Sequence, residues 1–326
     1  MATTQTETNK NNTKRQVPEL SLLSFKNGTA NDRATFVNDI MRGLKEYGFI
    51  TLKDHPISKA AMDSAYAKVA QFFSLPVEEK IRFICDEGGG QRGYTGFGKE
   101  HAKTSSLPDL KEFWHVGREV PAGHKFANFY PKNVWPDDVV PGFRVALEKI
   151  YADLDATSGL LLDAIGMGLD MPQSFFRNMI HEGNSILRPI HYPPVTKDMP
   201  VGAVRSAAHE DINLITILMG ATSSGLELLD RDGTWLPVDT KEGELIVDTG
   251  DMMSVLTNDV LPSTTHRVVN PADSSSNRYS MPFFVHPNPE TELRCIDQCR
   301  GSGEKYAPIN SHEFLLKRLS EIGLMK

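Results

Sequence analysis

The chain has 326 residues, of which 40% are hydrophobic and 24% charged, enough for one large domain or two ordinary ones around a packed core. A formal charge of −7 argues against a general nucleic-acid binder, which carries a basic excess. No apolar run reaches roughly 18 residues, so no membrane span is predicted.

Residues 1–16 are polar, rich in Thr and Asn, and lack the apolar stretch of a secretory signal. They read as a disordered tail before a single domain over 17–326. Val17 to Phe25 reads as a short strand introduced by proline. From Asp32 to Tyr47, Phe36, Ile40, Leu44 and Tyr47 keep helical spacing. A short β-type run, 48–52, ends at Asp54 and Pro56. Ser58 can cap the next helix, whose apolar positions are Met62, Tyr66, Val69, Phe72 and Phe73, with Leu75-Pro76 as its stop. Gly88 to Gly98 is glycine-rich and reads as a loop. Its segment 93–100, GYTGFGKE, nearly matches a phosphate-binding loop, but Glu100 stands where the magnesium-binding hydroxyl is needed and would repel phosphate.

A long helix is predicted over 141–168. From Ser185 the character changes, and short β-type runs alternate with turn signals: SILRPIHY, LITILM, GLELLD, TWLPVD, ELIVDTG, MMSVLT, THRVVN and RYSMPFFV. Such spacing points to an all-β sandwich or barrel rather than a parallel βαβ sheet. A last helix is expected from about Ser311 to Leu324. The three cysteines, Cys85, Cys295 and Cys299, are odd in number and sparse, favouring a reducing, cytoplasmic setting without a disulfide framework. Cys295 and Cys299 could share a helix face and bind metal. No second ligand pair accompanies them, so two ordinary thiols is the better reading.

The chemistry concentrates in two patterns. His209 and Asp211 are two apart, so on an extended strand both side chains project to one face. With His266 as a third ligand they would form a two-His, one-carboxylate set, which leaves three octahedral positions open and suits oxygen-activating iron(II). Taken alone, His-x-Asp also describes a surface histidine beside a turn aspartate. Arg278 and Ser280 also share a strand face, where a guanidinium fork and a hydroxyl can anchor a carboxylate. Alone, that pair also describes a strand arginine matched to a surface acid.

HED (209–211), HRV (266–268) and RYS (278–280), in this order and at these separations, resemble the isopenicillin N synthase-like family of iron(II)/2-oxoglutarate oxygenases. So do the Gly-Phe segment YGFITLKDHPI, FFSLPVEEK, LRPIHYPP and GELIVDTGDMMSVLTN, and the resemblance runs from about Val17 to Pro287. It implies a mainly β fold with α: a double-stranded β-helix (jelly-roll) core over 185–290. Helices from a mostly helical region, 17–184, would flank it, with a C-terminal segment and helix over 291–326.

The resemblance also implies iron ligands at His209, Asp211 and His266. Arg278, Ser280 and the Tyr192 hydroxyl would anchor 2-oxoglutarate, although many plant members have Asn where this chain has Ile190. By family position, Tyr94, Phe97, Phe113, Trp114, His115 and Phe284 are candidates for the substrate pocket. The implied activity is an iron(II)-, 2-oxoglutarate- and O2-dependent dioxygenase acting on a C–H bond of a small organic molecule, releasing succinate and CO2. Hydroxylation is the default outcome, with desaturation or ring formation open. The alternatives are an oxidase that uses O2 without 2-oxoglutarate, and a non-catalytic jelly-roll binding module. Neither substrate nor oligomeric state is legible.

Overall fold

The computed structural model describes residues 15–85, 90–100, 108–196, 202–239, 241–270 and 275–322. The expected tail therefore lies outside the described residues, apart from its last two.

The first helices are set by local chemistry. Ala30–Tyr47 begins with a capping box, in which the Thr29 hydroxyl accepts from the Asp32 backbone and the Asp32 carboxylate accepts in return. It ends at Gly48, whose positive φ of 70° lets the chain turn where a Cβ would strike Thr264. Lys59–Phe73 is capped by Ser58, as its sequence predicts. These two helices pack on the long helix Phe143–Gly168 and bury Phe36, Ile40, Leu44, Val69, Leu147 and Leu154 among them.

Two larger sheets follow, besides a two-stranded pair of Glu292–Leu293 with Ile309–Asn310. The larger, nine-stranded sheet includes Phe49–Lys53, Leu245–Thr249, Ile215–Met219 and Arg278–Val285 side by side. The smaller sheet has four strands in the order Trp235–Pro237, Leu226–Leu229, His266–Val268, Ser206–His209. Alternation along the large sheet divides its residues between two faces. Ile215, Ile217, Met219, Leu245, Val247, Met281, Phe283 and Val285 join the core shared with the helices. The intervening Leu218 and Ile246 pack with Leu226, Leu228 and Val268 of the small sheet. The two sheets thus face each other as a jelly roll, and Thr216, Asp248 and Phe284, aligned in one register row, share the inner face.

Several expectations need correction. Leu22–Asn27 is helical, so the opening strand is only Glu19–Ser21. MMSVLT is the helix Asp251–Leu256 rather than a strand. Every residue from Met252 to Leu256 is buried, leaving no polar face to mark a 3.6-residue period. Part of the glycine-rich loop is the strand Gly93–Thr95, paired with Glu112–Gly117, and Ser174–Ile180 is a further helix. Residues 88–89 of that loop and 323–324 of the expected last helix lie outside the described residues. No helix among the described residues is long and apolar enough to cross a membrane.

Candidate metal centre

His209 ends the strand Ser206–His209, and His266 begins the strand directly opposite it in the ladder. Asp211 lies two residues past His209, beyond the strand end, so strand alternation alone does not set its carboxylate. Its Oδ1 is 3.9 Å from Nε2 of both imidazoles. One ligand atom from each residue falls within 4.8 Å of the others, the one such trio of His, Cys, Asp or Glu among the described residues.

The surroundings decide how these groups face. Nδ1 of His209 donates to the Ala207 carbonyl at 2.7 Å, and Nδ1 of His266 to the Thr264 carbonyl at 3.1 Å. A carbonyl can only accept, so each ring carries a proton on Nδ1 and turns Nε2 inward. Burial, then the neighbouring His266, pushes His209 down to about 4, which keeps its Nε2 lone pair free. The second Asp211 oxygen accepts from the Thr216 hydroxyl, itself held by the Asn213 amide at 3.1 Å. The Asp211 carbonyl accepts from the Asp251 backbone at 2.7 Å. Gly250 makes this approach possible, since a Cβ there would lie 2.4 Å from the Asn213 carbonyl. Two imidazoles held through Nδ1 by backbone carbonyls and one carboxylate, all turned to one point, fit a divalent first-row metal.

A cavity of about 210 Å³ opens over this trio. Its polar wall is built from Glu100, Lys111, Arg188 and His115. Lys111 lies 2.9 Å from Glu100 and 2.8 Å from Asp109, and Arg188 lies 3.1 Å from Glu100. Burial alone would raise the Glu100 carboxyl, but Arg188 and Lys111 outweigh it and hold it well below the usual carboxylate range. Nε of Arg188 donates to Nε2 of His115 at 2.5 Å, while Nδ1 of His115 donates to the Gly90 carbonyl. Burial and the Arg188 charge push that ring far down, so it stays neutral. The Arg188 guanidinium lies over the rings of Phe113, at 4.5 Å, and Phe284, at 5.0 Å. Leu315, Leu319 and Ile322 of the C-terminal helix region close another side, tethered by an ion pair from Arg318 to Asp251.

Of the residues expected in the substrate pocket, Phe284 and His115 line this cavity. Tyr94 and Trp114 do not, because both pack into the helical core around Phe72. Phe113 lies buried beneath Arg188, and Phe97 is 45% exposed against His191. Tyr192 lines the cavity's inner end. Arg278 pairs with Tyr192 across the ladder, its guanidinium 4.9 Å from that ring, and borders an adjoining cavity that shares Leu218 and Leu226 with the first. Ser280 follows on the same strand face. Arg188 went unnoticed in the sequence, yet Arg188, Ile190 and Tyr192 alternate, which was signal enough to place it beside Tyr192. Glu100, Asp109, Lys111 and His286 had no such signal.

A jelly roll with two histidines and an aspartate turned into its mouth defines a class, the mononuclear non-haem metal oxygenases. Two family models match the chain: the N-terminal region of the non-haem dioxygenases in morphine synthesis over residues 17–138, and the 2OG-Fe(II) oxygenase superfamily over 169–287. A 2-oxoglutarate-Fe(II) type oxidoreductase of Emericella nidulans is 31% identical over 87% of this chain and 83% of that protein. A proline hydroxylase of Petromyces alliaceus is 30% identical over 89% and 93%. Among solved structures, a 2OG-Fe(II) oxygenase family protein from Caulobacter crescentus is 41% identical and covers 93% of this chain and 98% of its own, with a TM-score of 0.83. A full-length Neurospora crassa protein in complex with alpha-KG and thymine is 28% identical over 93% and 96%, with a TM-score of 0.82. The chain belongs to the 2OG-Fe(II) oxygenase superfamily and is an iron(II)- and 2-oxoglutarate-dependent dioxygenase.

Proposed function

We propose that His209, Asp211 and His266 hold the iron(II), and that the enzyme oxidises a C–H bond of a neutral, polar small molecule seated between the metal and the Arg188 wall. The observation that carries this is the convergence of Nε2 of both imidazoles and one Asp211 oxygen at a cavity of about 210 Å³. Iron held there, with 2-oxoglutarate and O2, supplies the oxidising chemistry and leaves succinate and CO2.

The chain's own residues do the positioning. Backbone carbonyls fix both imidazoles, and Thr216 fixes the carboxylate. Arg278, with Ser280 and Tyr192, takes the carboxylate of 2-oxoglutarate distant from the metal. The C-terminal helix covers the cavity and limits water around the reacting atoms.

The polar wall bears on the substrate's charge. Two cations, Lys111 and Arg188, are matched there by two carboxylates, Glu100 and Asp109, and His115 is neutral. A wall already balanced has no counter-charge to offer an ionic substrate, whose desolvation would go uncompensated. It does offer guanidinium hydrogen bonds beside the Phe284 ring, suited to a carbonyl on a compact molecule. The Neurospora crassa protein bound to thymine, and the relative named a proline hydroxylase, support a small polar substrate.

The test is succinate release by iron-loaded enzyme with 2-oxoglutarate, screened over amides, lactams, pyrimidine bases, amino acids and simple acids. Neutral compounds should stimulate release, and Arg188→Met should remove that stimulation while leaving substrate-free turnover in place. Stimulation confined to acids or amines would overturn the reading of the wall. Substrate oxidation without any need for 2-oxoglutarate would make the enzyme an oxidase instead.

A further inference from the structure

Three arginines, Arg92, Arg205 and Arg278, stand out among the largest fully buried side chains. Arg92 is better provided for: both terminal nitrogens donate, to the carbonyls of Gln91 and Arg118, the Glu119 carboxylate acts on it favourably, and its Nε alone has no partner. The other two are less so.

Arg205 stands immediately before the strand Ser206–His209 and is 1% exposed. Its Nη2 donates to the Ser276 carbonyl at 3.3 Å, while Nε and Nη1 have no partner. Arg278, also 1% exposed, donates through Nε to the Ser223 carbonyl at 3.0 Å, and its Nη1 has no partner. No described carboxylate forms an ion pair with either, in contrast to Arg118, Arg177, Arg188, Arg267 and Arg318. Ser276, which Arg205 reaches, is two residues before Arg278, so the two guanidiniums belong to one corner of the jelly roll. Burial and the Arg278 charge push the Arg205 guanidinium down, and the Tyr192 ring oxygen acts the other way.

Two buried like charges that share three unpartnered guanidinium nitrogens form an arrangement that costs free energy unless an anion sits among them. A planar carboxylate has two oxygens and about four lone-pair sites, enough for donors from two guanidiniums as well as a hydroxyl. We propose that Arg205 is a second anchor for the distal carboxylate of 2-oxoglutarate, sharing it with Arg278. This rests on the placing of that carboxylate at Arg278, Ser280 and Tyr192, and adds a residue that the Arg-x-Ser pattern does not contain. The consequence is selectivity. With two cations at one end, the subsite favours a 2-oxo diacid strongly over a 2-oxo monoacid of the same chain length.

The test compares wild type, Arg205→Gln, Arg205→Lys and Arg278→Gln for anaerobic binding of 2-oxoglutarate and 2-oxovalerate to the iron-loaded protein by calorimetry. The metal-free melting temperature is measured alongside. Arg205→Gln should weaken 2-oxoglutarate binding by about tenfold or more, a difference of about 1.4 kcal/mol, and leave 2-oxovalerate nearly unchanged. Its metal-free melting temperature should equal or exceed that of wild type, since an unpaired buried cation has been removed. A purely structural arginine would lower it. Arg205→Lys keeps the charge without the fork and should fall between, and it carries the comparison if the glutamine variant does not fold.

Unchanged 2-oxoglutarate binding in the Arg205 variants, with clear weakening in Arg278→Gln, would overturn the role of Arg205 alone. Equal weakening toward both oxo acids would overturn it as well. If Arg278→Gln binds 2-oxoglutarate like wild type, the placing of the carboxylate at Arg278 fails first.

Discussion

His266 stands directly across the antiparallel ladder from His209, with the two imidazole centroids 4.4 Å apart. Strand register therefore sets this half of the metal centre, and a slip of one residue would turn one imidazole to the opposite face. The edge of Phe49 closes on His266 at 5.5 Å and its strand runs beside Leu245–Thr249, so the large sheet braces the small one behind the metal site.

Thr216 tests how far the surroundings of Asp211 matter. Its hydroxyl donates to the carboxylate oxygen that faces away from the histidines. Thr216→Val should weaken Fe(II) binding by roughly 10- to 100-fold, the usual effect of losing a partner behind a ligand. Thr216→Ser should restore most of it. Anaerobic Fe(II) titration of both variants checks this, and a valine variant with wild-type affinity would mean that the hydroxyl does not orient the ligand.

Phe283 and Phe284 are consecutive on one strand, yet Phe283 packs in the helical core and Phe284 lines the cavity. Phe283→Ala should cost about 3–5 kcal/mol of stability, by loss of buried area and creation of a void. Phe284→Ala should cost much less and instead alter the response of succinate release to added substrates. Urea unfolding separates the two, and equal destabilisation would contradict the assignment of faces.

Stability should depend on pH in the acid range. Burial pushes His286 down to about 4 and His115 well below its ordinary value, so both are neutral in the folded metal-free protein. In the unfolded chain they take up protons near pH 6.5. Between about pH 6.5 and 4 the unfolded state binds more protons, so stability falls as pH falls through that window and is fully present above it. Urea midpoints at pH 7.5 and pH 5 measure the drop. His286→Asn should shrink it, and an unaltered drop would show that His286 does not contribute.

The trio His209, Asp211 and His266 was legible because HED, HRV and RYS carry two-residue spacings in a recurrent order, which also marks Arg278, although Asp211 itself lies past the strand end. The polar wall was not. Glu100, Lys111 and Arg188 all lie outside the strands, Lys111 just before Glu112–Gly117 and Arg188 between Ile186–Leu187 and Ile190–Tyr192, and meet only through the pairing of those strands. Tyr94 and Trp114 are pocket candidates by family position alone, and an aromatic facing a cavity looks the same in sequence as one facing a core. The C-terminal helix showed its amphipathic spacing, but not that Leu315 and Leu319 would close over the metal site. Asp251–Leu256 escaped because a fully buried helix has no polar stripe.

The most direct test is anaerobic Fe(II) titration of the full-length protein beside His209→Ala, Asp211→Ala and His266→Ala. Wild type should bind one Fe(II) per chain, and each variant should lose affinity by roughly a hundredfold or more, beyond the effect of removing a partner behind a ligand, while keeping its melting temperature. Wild-type iron affinity in any one of the three, with the fold intact, would contradict a centre built from His209, Asp211 and His266.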